Sequence, residues 1–218
     1  MPPPKRVLVA DDQRVNRTLT MRRLEQLGFT VDVVENGLQV IEALTRSRYD
    51  LVFLDCHMPH IDGFQAARWI REHEGTEIHT PLIAFTASVT GGDRDRCLAA
   101  GMDDFVSKPI EESELVRVIR RWLPGVRTTD KLAAIDRNEL MSIFLADVPS
   151  RIAAIQDALA ARDVDLLAEA AHALKSGAGN VGAMRLYELC DRLENAGDLN
   201  AAEKLVRQVE TEFRKLRS

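Results

Sequence analysis

Three carboxylates and a lysine stand where a chain could do phosphoryl chemistry. Asp11 and Asp12 follow the apolar run Val7-Leu-Val-Ala10, Asp55 follows Leu51-Val-Phe-Leu54, Thr86 follows Leu82-Ile-Ala-Phe85, and Lys108 follows Phe105-Val-Ser107. Short apolar runs that end in turn signals read as buried strands of a parallel sheet. Side chains at the carboxyl ends of such strands face the crevice where open α/β sheets take their ligands. Two carboxylates about 4 Å apart repel by roughly 4 kcal/mol at an effective dielectric near 20, so three stay ionised together only around a cation. Oxygen donors with room for water and a phosphate favour Mg²⁺. One oxygen of Asp55 would then remain as a nucleophile, with Lys108 holding a second phosphoryl oxygen and Thr86 hydrogen-bonding a third. Alone, Asp55 reads more readily as the cap of the following helix. The combination favours chemistry.

A second candidate lies in Ala171-His172-Ala-Leu-Lys175-Ser-Gly177-Ala-Gly179. On a helix His172 shares its face with Asp165, Glu169, Lys175 and Ser176, whereas Leu166, Ala170, Leu174 and Ala178 fall on the side expected to face a core. His172 is therefore expected to be exposed. A neutral imidazole is both a nucleophile and a leaving group, so it can carry a phosphoryl group transiently. Lys175, one turn on, would offset the added charge of about −1.5 to −2. Gly177 and Gly179 each weaken a helix by about 1 kcal/mol relative to Ala, a cost expected only where something must approach closely. The plain alternative is a surface histidine with no chemical role.

These side chains need elements to hold them. Strands are expected at residues 6–10, 30–34, 51–55, 81–85 and 104–107, alternating with helices at 16–27, from 37, 63–73, 93–100 and 111–123. Such alternation implies a parallel sheet with helices on both faces, and at this size the flavodoxin-like order 2-1-3-4-5. Past Pro124-Gly125 the strand signal ends. Helical periodicity runs from Leu140 to Pro149, resumes through Ile152 and Leu159, and continues from Asp163 to a break at 180–182. Two further helices are expected at 183–196 and 198–216, the last capped by Asp198. The expected organisation is an α/β domain over 5–123, a linker over 124–134 and an antiparallel helical bundle over 135–218.

Composition narrows the field. The net charge is −5 with no Lys/Arg run, which argues against a nucleic-acid surface. No stretch approaches 18 consecutive apolar residues, and the apolar run before Asp11 is too short for a signal-peptide core. Cys56, Cys97 and Cys190 form no Cys-x-x-Cys pair, as expected of a protein kept reduced in the cytoplasm.

With these residues in place, 5–123 resembles the receiver domain of two-component signalling. The resemblance rests on Asp11-Asp12, Asp55-x-x-Met-Pro-x-x-Asp-Gly63, Thr86-Ala87, and Lys108-Pro109 preceded by Gly101-Met-Asp-Asp-Phe105. It implies that Asp55 is the phosphoacceptor. It further implies that Asp12, Asp55 and the backbone carbonyl of Cys56 bind Mg²⁺, with Asp11 acting through water. Thr86 and Phe105 would move as a switch. The stretch around His172 is similar to the histidine phosphotransfer (HPt) motif, with Ser176-Gly177 where the family more often has Gly-Ser, and the similarity covers about 135–218. Together the two resemble the receiver and HPt parts of hybrid sensor kinases. They imply a phosphorelay in which Asp55 accepts phosphoryl from a sensor histidine kinase and exchanges it with His172. A downstream response-regulator receiver is an expected partner. No ATP-binding segment is present, so the chain is expected to depend on a kinase, as a two-module protein or as part of a larger hybrid kinase.

Three alternatives remain open at this stage. The bundle could be an interaction module with no transfer through His172. A haloacid-dehalogenase-type phosphatase also uses an Asp nucleophile and Mg²⁺, but wants Asp-x-Asp after its first strand. A DNA-binding regulator would need a basic recognition helix, which is lacking.

Overall fold

The computed structural model describes residues 4–75, 78–86, 91–126 and 135–217, with the side chains of 91–93 left out. Ala87 and most of the expected linker, from 127 to 134, lie outside the described residues. The chain divides into two compact units, Met1–Ile135 and Asp136–Ser218.

In the first unit β1 (Arg6–Ala10), β2 (Thr30–Val34), β3 (Leu51–Asp55), β4 (Leu82–Thr86) and β5 (Asp104–Ser107) alternate with α1 (Arg14–Gln26), α2 (Gly37–Arg46), α3 (Gly63–His73), α4 (Gly91–Ala99) and α5 (Glu112–Trp122). All strand pairs are parallel and the order is β2-β1-β3-β4-β5. The fold is flavodoxin-like. Two-residue periodicity sorts the strands onto two cores. Val7, Val9, Phe53, Ile83, Phe85 and Val106 pack with Leu24 of α1 and Leu115 and Ile119 of α5. Leu8, Ala10, Val52, Leu54, Leu82 and Ala84 pack on the other face with Val40 of α2, Phe64 and Ile70 of α3, and Cys97 of α4. Burying each such Val, Leu or Phe stabilises the sheet by about 1.5–3 kcal/mol. Phe53 and Phe85 stack across neighbouring strands with centroids 4.9 Å apart.

The entry to α3 decides the role of Asp55. Asp62 caps that helix: its Oδ1 accepts from the Gln65 N–H at 2.6 Å, and Gln65 Oε1 accepts from the Asp62 N–H at 3.0 Å. Asp55 is not a helix cap. Elsewhere in the unit Trp122 donates its indole N–H to Asp104 Oδ2 at 3.2 Å, and Trp69 stacks on His73 with centroids 4.1 Å apart.

The second unit comprises α6 (Arg137–Ala160), α7 (Val164–Val181), α8 (Met184–Glu194) and α9 (Leu199–Arg217). Each helix packs on the next and α9 closes on α6, giving a four-helix bundle. Asp136, Asp163 and Asp198 cap α6, α7 and α9 by accepting backbone N–H groups of the first turn. α7 ends at Gly182, whose φ of +73° suits a residue without a Cβ.

Four expectations fail here. Helix α6 runs through Pro149 instead of breaking there. Proline inside a helix costs about 3 kcal/mol, but Phe144, Val148, Ile152 and Ile155 fall on one buried stripe across it, and their burial outweighs that cost. On α7 the core stripe is Leu167, Ala171, Leu174, Ala178 and Val181, so Leu166 is turned outward and is 47% exposed. His172 borders that stripe, and its side chain is only 13% exposed. Gly177 is buried among the helices as well, not open to an approaching partner. Among the described residues, no helix is long and apolar enough to cross a membrane.

Candidate functional sites

Parallel strands bring Asp11, Asp12, Asp55, Thr86 and Lys108 together at the carboxyl edge of the sheet. Asp11 and Asp55 are buried, Asp12 is half-buried, and one oxygen from each of the three lies within 4.8 Å of the others. Asp11 is held on every side. Its Oδ1 accepts from the Gln13 N–H at 2.8 Å, and Asn16 Nδ2 bridges both carboxylate oxygens at 3.1 Å. The Lys108 ammonium reaches Asp11 Oδ2 at 2.7 Å and Asp55 Oδ2 at 2.6 Å. Asp55 Oδ1 faces the His57 N–H at 3.3 Å.

Lys108 is tied to the neighbouring strand, its N–H donating to the Thr86 carbonyl at 2.7 Å, and the Lys108–Pro109 peptide is cis. Thr86 closes β4 with its side chain buried beside this pair of strand ends. The Cys56 carbonyl accepts from the Gly63 N–H at 3.2 Å. A Cβ on Gly63 would stand 2.1 Å from the Asp55 carbonyl oxygen, so this turn admits glycine alone. The Cys56 and Cys97 sulfurs lie 3.7 Å apart. Phe105 is half-buried under the Arg94 guanidinium, 5.7 Å from its ring centroid.

The charged groups at this edge shift one another's ionisation. Burial, aided by Asp11 and Asp12, pushes the Asp55 carboxyl up to about 7 despite the counter-pull of Lys108. Burial works against the Lys108 charge too, but the two carboxylates outweigh it and hold the ammonium above its usual range. Lys108 thus holds two of the three carboxylates together. An oxygen-only donor set of this kind suits a hard divalent ion such as Mg²⁺.

In the bundle, His172 Nδ1 lies 2.8 Å from Glu194 Oε1, at the end of α8. Glu194 also pairs with the Lys175 ammonium, which reaches Asp191 Oδ1 at 3.1 Å. Lys175 is buried and lies over the Tyr187 ring at 5.9 Å. Burial would raise the Glu194 carboxyl, but His172 and Lys175 outweigh it and hold the group below the usual carboxylate range. Burial likewise opposes the Lys175 charge, and Glu194 and Asp191 overcome it, raising the ammonium above its ordinary value. A carboxylate on Nδ1 favours the tautomer that keeps its proton there, which leaves the lone pair on Nε2.

Sequence reasoning named the residues that the strand ends bring together, and His172, but not the groups that hold them. Asn16 and Arg17, in the first turns of α1, clamp Asp11 through its carboxylate and its carbonyl respectively. Their spacing of five and six residues from Asp11 was the available signal. Nothing local pointed from His172 to Glu194, 22 positions away on another helix.

The fold and the first site define a receiver domain, and comparison agrees. Residues 7–120 match the response regulator receiver domain, and the chain belongs to that family. Residues 139–218 match the Hpt domain, so an Hpt domain follows the receiver. Among curated relatives, sensor histidine kinase GacS of Pseudomonas protegens is 31% identical over 218 residues, matching 87% of this chain but 24% of its own length. Probable histidine kinase 1 of rice, Oryza sativa, is 32% identical over 149 residues, covering 55% of this chain and 15% of its own. The chain thus spans a quarter or less of these relatives. Among solved structures, the receiver domain of sensor histidine kinase PA1611 from Pseudomonas aeruginosa has a magnesium ion coordinated in its active-site cleft. It is 39% identical with a TM-score of 0.51, over 55% of this chain and 98% of that one. A Saccharomyces cerevisiae complex of the histidine phosphotransfer protein Ypd1 with the receiver domain of Ssk1 matches at 25% identity and a TM-score of 0.52, over 55% of this chain and 89% of that one.

Proposed function

We propose that this chain relays phosphoryl groups between aspartate and histidine, in the cytoplasm, within or alongside a hybrid histidine kinase. The observation that carries this reading is the presence on one chain of a clustered carboxylate trio with a bridging lysine and of a histidine whose Nδ1 is engaged by a carboxylate. A phosphohistidine of a sensor kinase would donate to Asp55: its N–P bond breaks, an O–P bond forms on the Asp55 carboxylate, and the donor nitrogen keeps the electron pair. Asp12, Asp55 and the Cys56 carbonyl would hold Mg²⁺, with Asp11 reaching it through water. When bound, the ion neutralises the acids and the phosphoryl oxygens.

The remaining work falls to this chain's own groups. Lys108, now shared by Asp11 and Asp55, would turn one of its protons toward a phosphoryl oxygen. The Thr86 hydroxyl would donate to another, and Phe105 would follow as Thr86 moves. In the second exchange, Nε2 of His172 forms the N–P bond as the Asp O–P bond breaks. Glu194 orients the ring and stabilises the positive charge that develops on it. Lys175 offsets part of the phosphoryl charge. His172 could serve Asp55 of this chain or a downstream response-regulator receiver.

Incubation with a labelled phosphohistidine donor and Mg²⁺ tests the relay. Acid-labile, base-stable label on His172 that disappears in Asp55→Asn supports transfer through both residues within the chain. Absence of label on both residues with a competent kinase present would overturn the proposal. An unchanged relay in His172→Gln would leave the bundle as an interaction module only.

A further inference from the structure

We propose that Arg17 is a positioning residue for the cation site, aiming Asp12 through the backbone; the inference rests on the Mg²⁺ reading given above. The Arg17 side chain is 10% exposed. A guanidinium that deep is tolerated only when paired and hydrogen-bonded. Its Nη1 donates to the Asp11 carbonyl at 2.7 Å, and its Nη2 to Glu35 Oε1 at 2.5 Å. That carbonyl belongs to the peptide joining Asp11 to Asp12. On the preceding peptide the Asp11 N–H donates to the Val34 carbonyl at 3.2 Å. The segment is thereby fixed at both ends against the exit of β2.

Asp11 does not depend on this grip for its carboxylate, which Gln13, Asn16 and Lys108 already hold. Asp12 is the half-buried member of the trio, and its own N–H belongs to the peptide whose carbonyl Arg17 holds. Charge and position pull opposite ways here. As a nearby cation Arg17 disfavours a second cation, whereas as a clamp it favours one.

That opposition makes the test sharp. Mg²⁺ affinity of the whole chain is measured by calorimetry and by the amide resonances of Asp12 and Cys56, in wild type, Arg17→Lys and Arg17→Met. Melting of the Mg²⁺-free proteins serves as the fold control. Lys keeps the charge but not the two-pronged fork. If Arg17 positions Asp12, both variants bind Mg²⁺ about tenfold more weakly, in the range seen when groups that orient metal ligands are removed. Should Arg17→Met fail to fold, Arg17→Lys alone carries the same expectation. Unchanged affinity in Arg17→Lys, or tighter binding by Arg17→Met, overturns the positioning role. Absence of Mg²⁺ binding by the wild type would instead overturn the cation site itself.

Discussion

Nδ1 of His172 and Oε1 of Glu194 are 2.8 Å apart, joining the middle of α7 to the last residue of α8. Glu194→Gln keeps the size and a hydrogen-bonding group but loses the charge that supports a protonated ring. Transfer to His172 should slow by about tenfold or more, equivalent to ~1.4 kcal/mol of barrier. Rapid-quench measurement of label arriving on His172 checks this, and an unchanged rate would remove Glu194 from the mechanism.

The same carboxylate gives the bundle an acid limit. Glu194 has its folded pKa held below its unfolded value of about 4.3, so its stabilisation is fully present above that pH and is lost as pH falls through the folded pKa. Lys175 has a raised folded pKa, so its contribution is full below about 10.4 and is lost only as pH rises through the folded value. Glu194→Gln should therefore lower the bundle's melting point most near neutrality, with the deficit closing toward pH 3. Far-UV circular dichroism melts across that range measure it.

Lys108→Met should destabilise the receiver by about 3 kcal/mol, because Asp11 and Asp55 are left buried without their shared cation. Combined with Asp55→Asn the loss should shrink, since one of the stranded charges is then gone. A double-mutant cycle by urea denaturation without Mg²⁺ reads the coupling directly. Strict additivity would show that the pair does not interact in solution.

Gly63→Ala should cost about 2–3 kcal/mol, as expected when a packed turn must move to admit a methyl group. The new carbon would meet the Asp55 carbonyl oxygen at 2.1 Å, and the turn's bond from Gly63 to the Cys56 carbonyl would open. Weaker Mg²⁺ binding should accompany the loss of stability, because that carbonyl is an expected ligand. Chemical denaturation with and without Mg²⁺ separates the two effects.

Much of the receiver was legible because its signals are local. Val7-Leu-Val-Ala10 and Leu51-Val-Phe-Leu54 are buried on both faces, and each runs directly into its acid. Strand order then brings those acids together with no further information. The bundle was harder. Phase on α7 turned on a single residue, Leu166 against Leu167, because alanines and glycines blur the apolar stripe. Pro149 looked like a stop, since the rule for proline is local whereas the burial of Val148 and Ile152 around it is tertiary. Glu194 and Arg17 were beyond reach for a related reason. Each acts across a helix packing or a strand exit that the linear sequence does not display.

The aromatic residues divide unevenly between the two units, and this offers an optical handle. Both of the chain's tryptophans, Trp69 and Trp122, belong to the first unit, where one stacks on His73 and the other donates to Asp104. The second unit has Tyr187 but neither tryptophan. Indole emission excited at its red edge thus follows the receiver alone, while ellipticity sums both units. A variant such as Glu194→Gln can be melted in the intact chain and its effect assigned to one unit without cutting the protein.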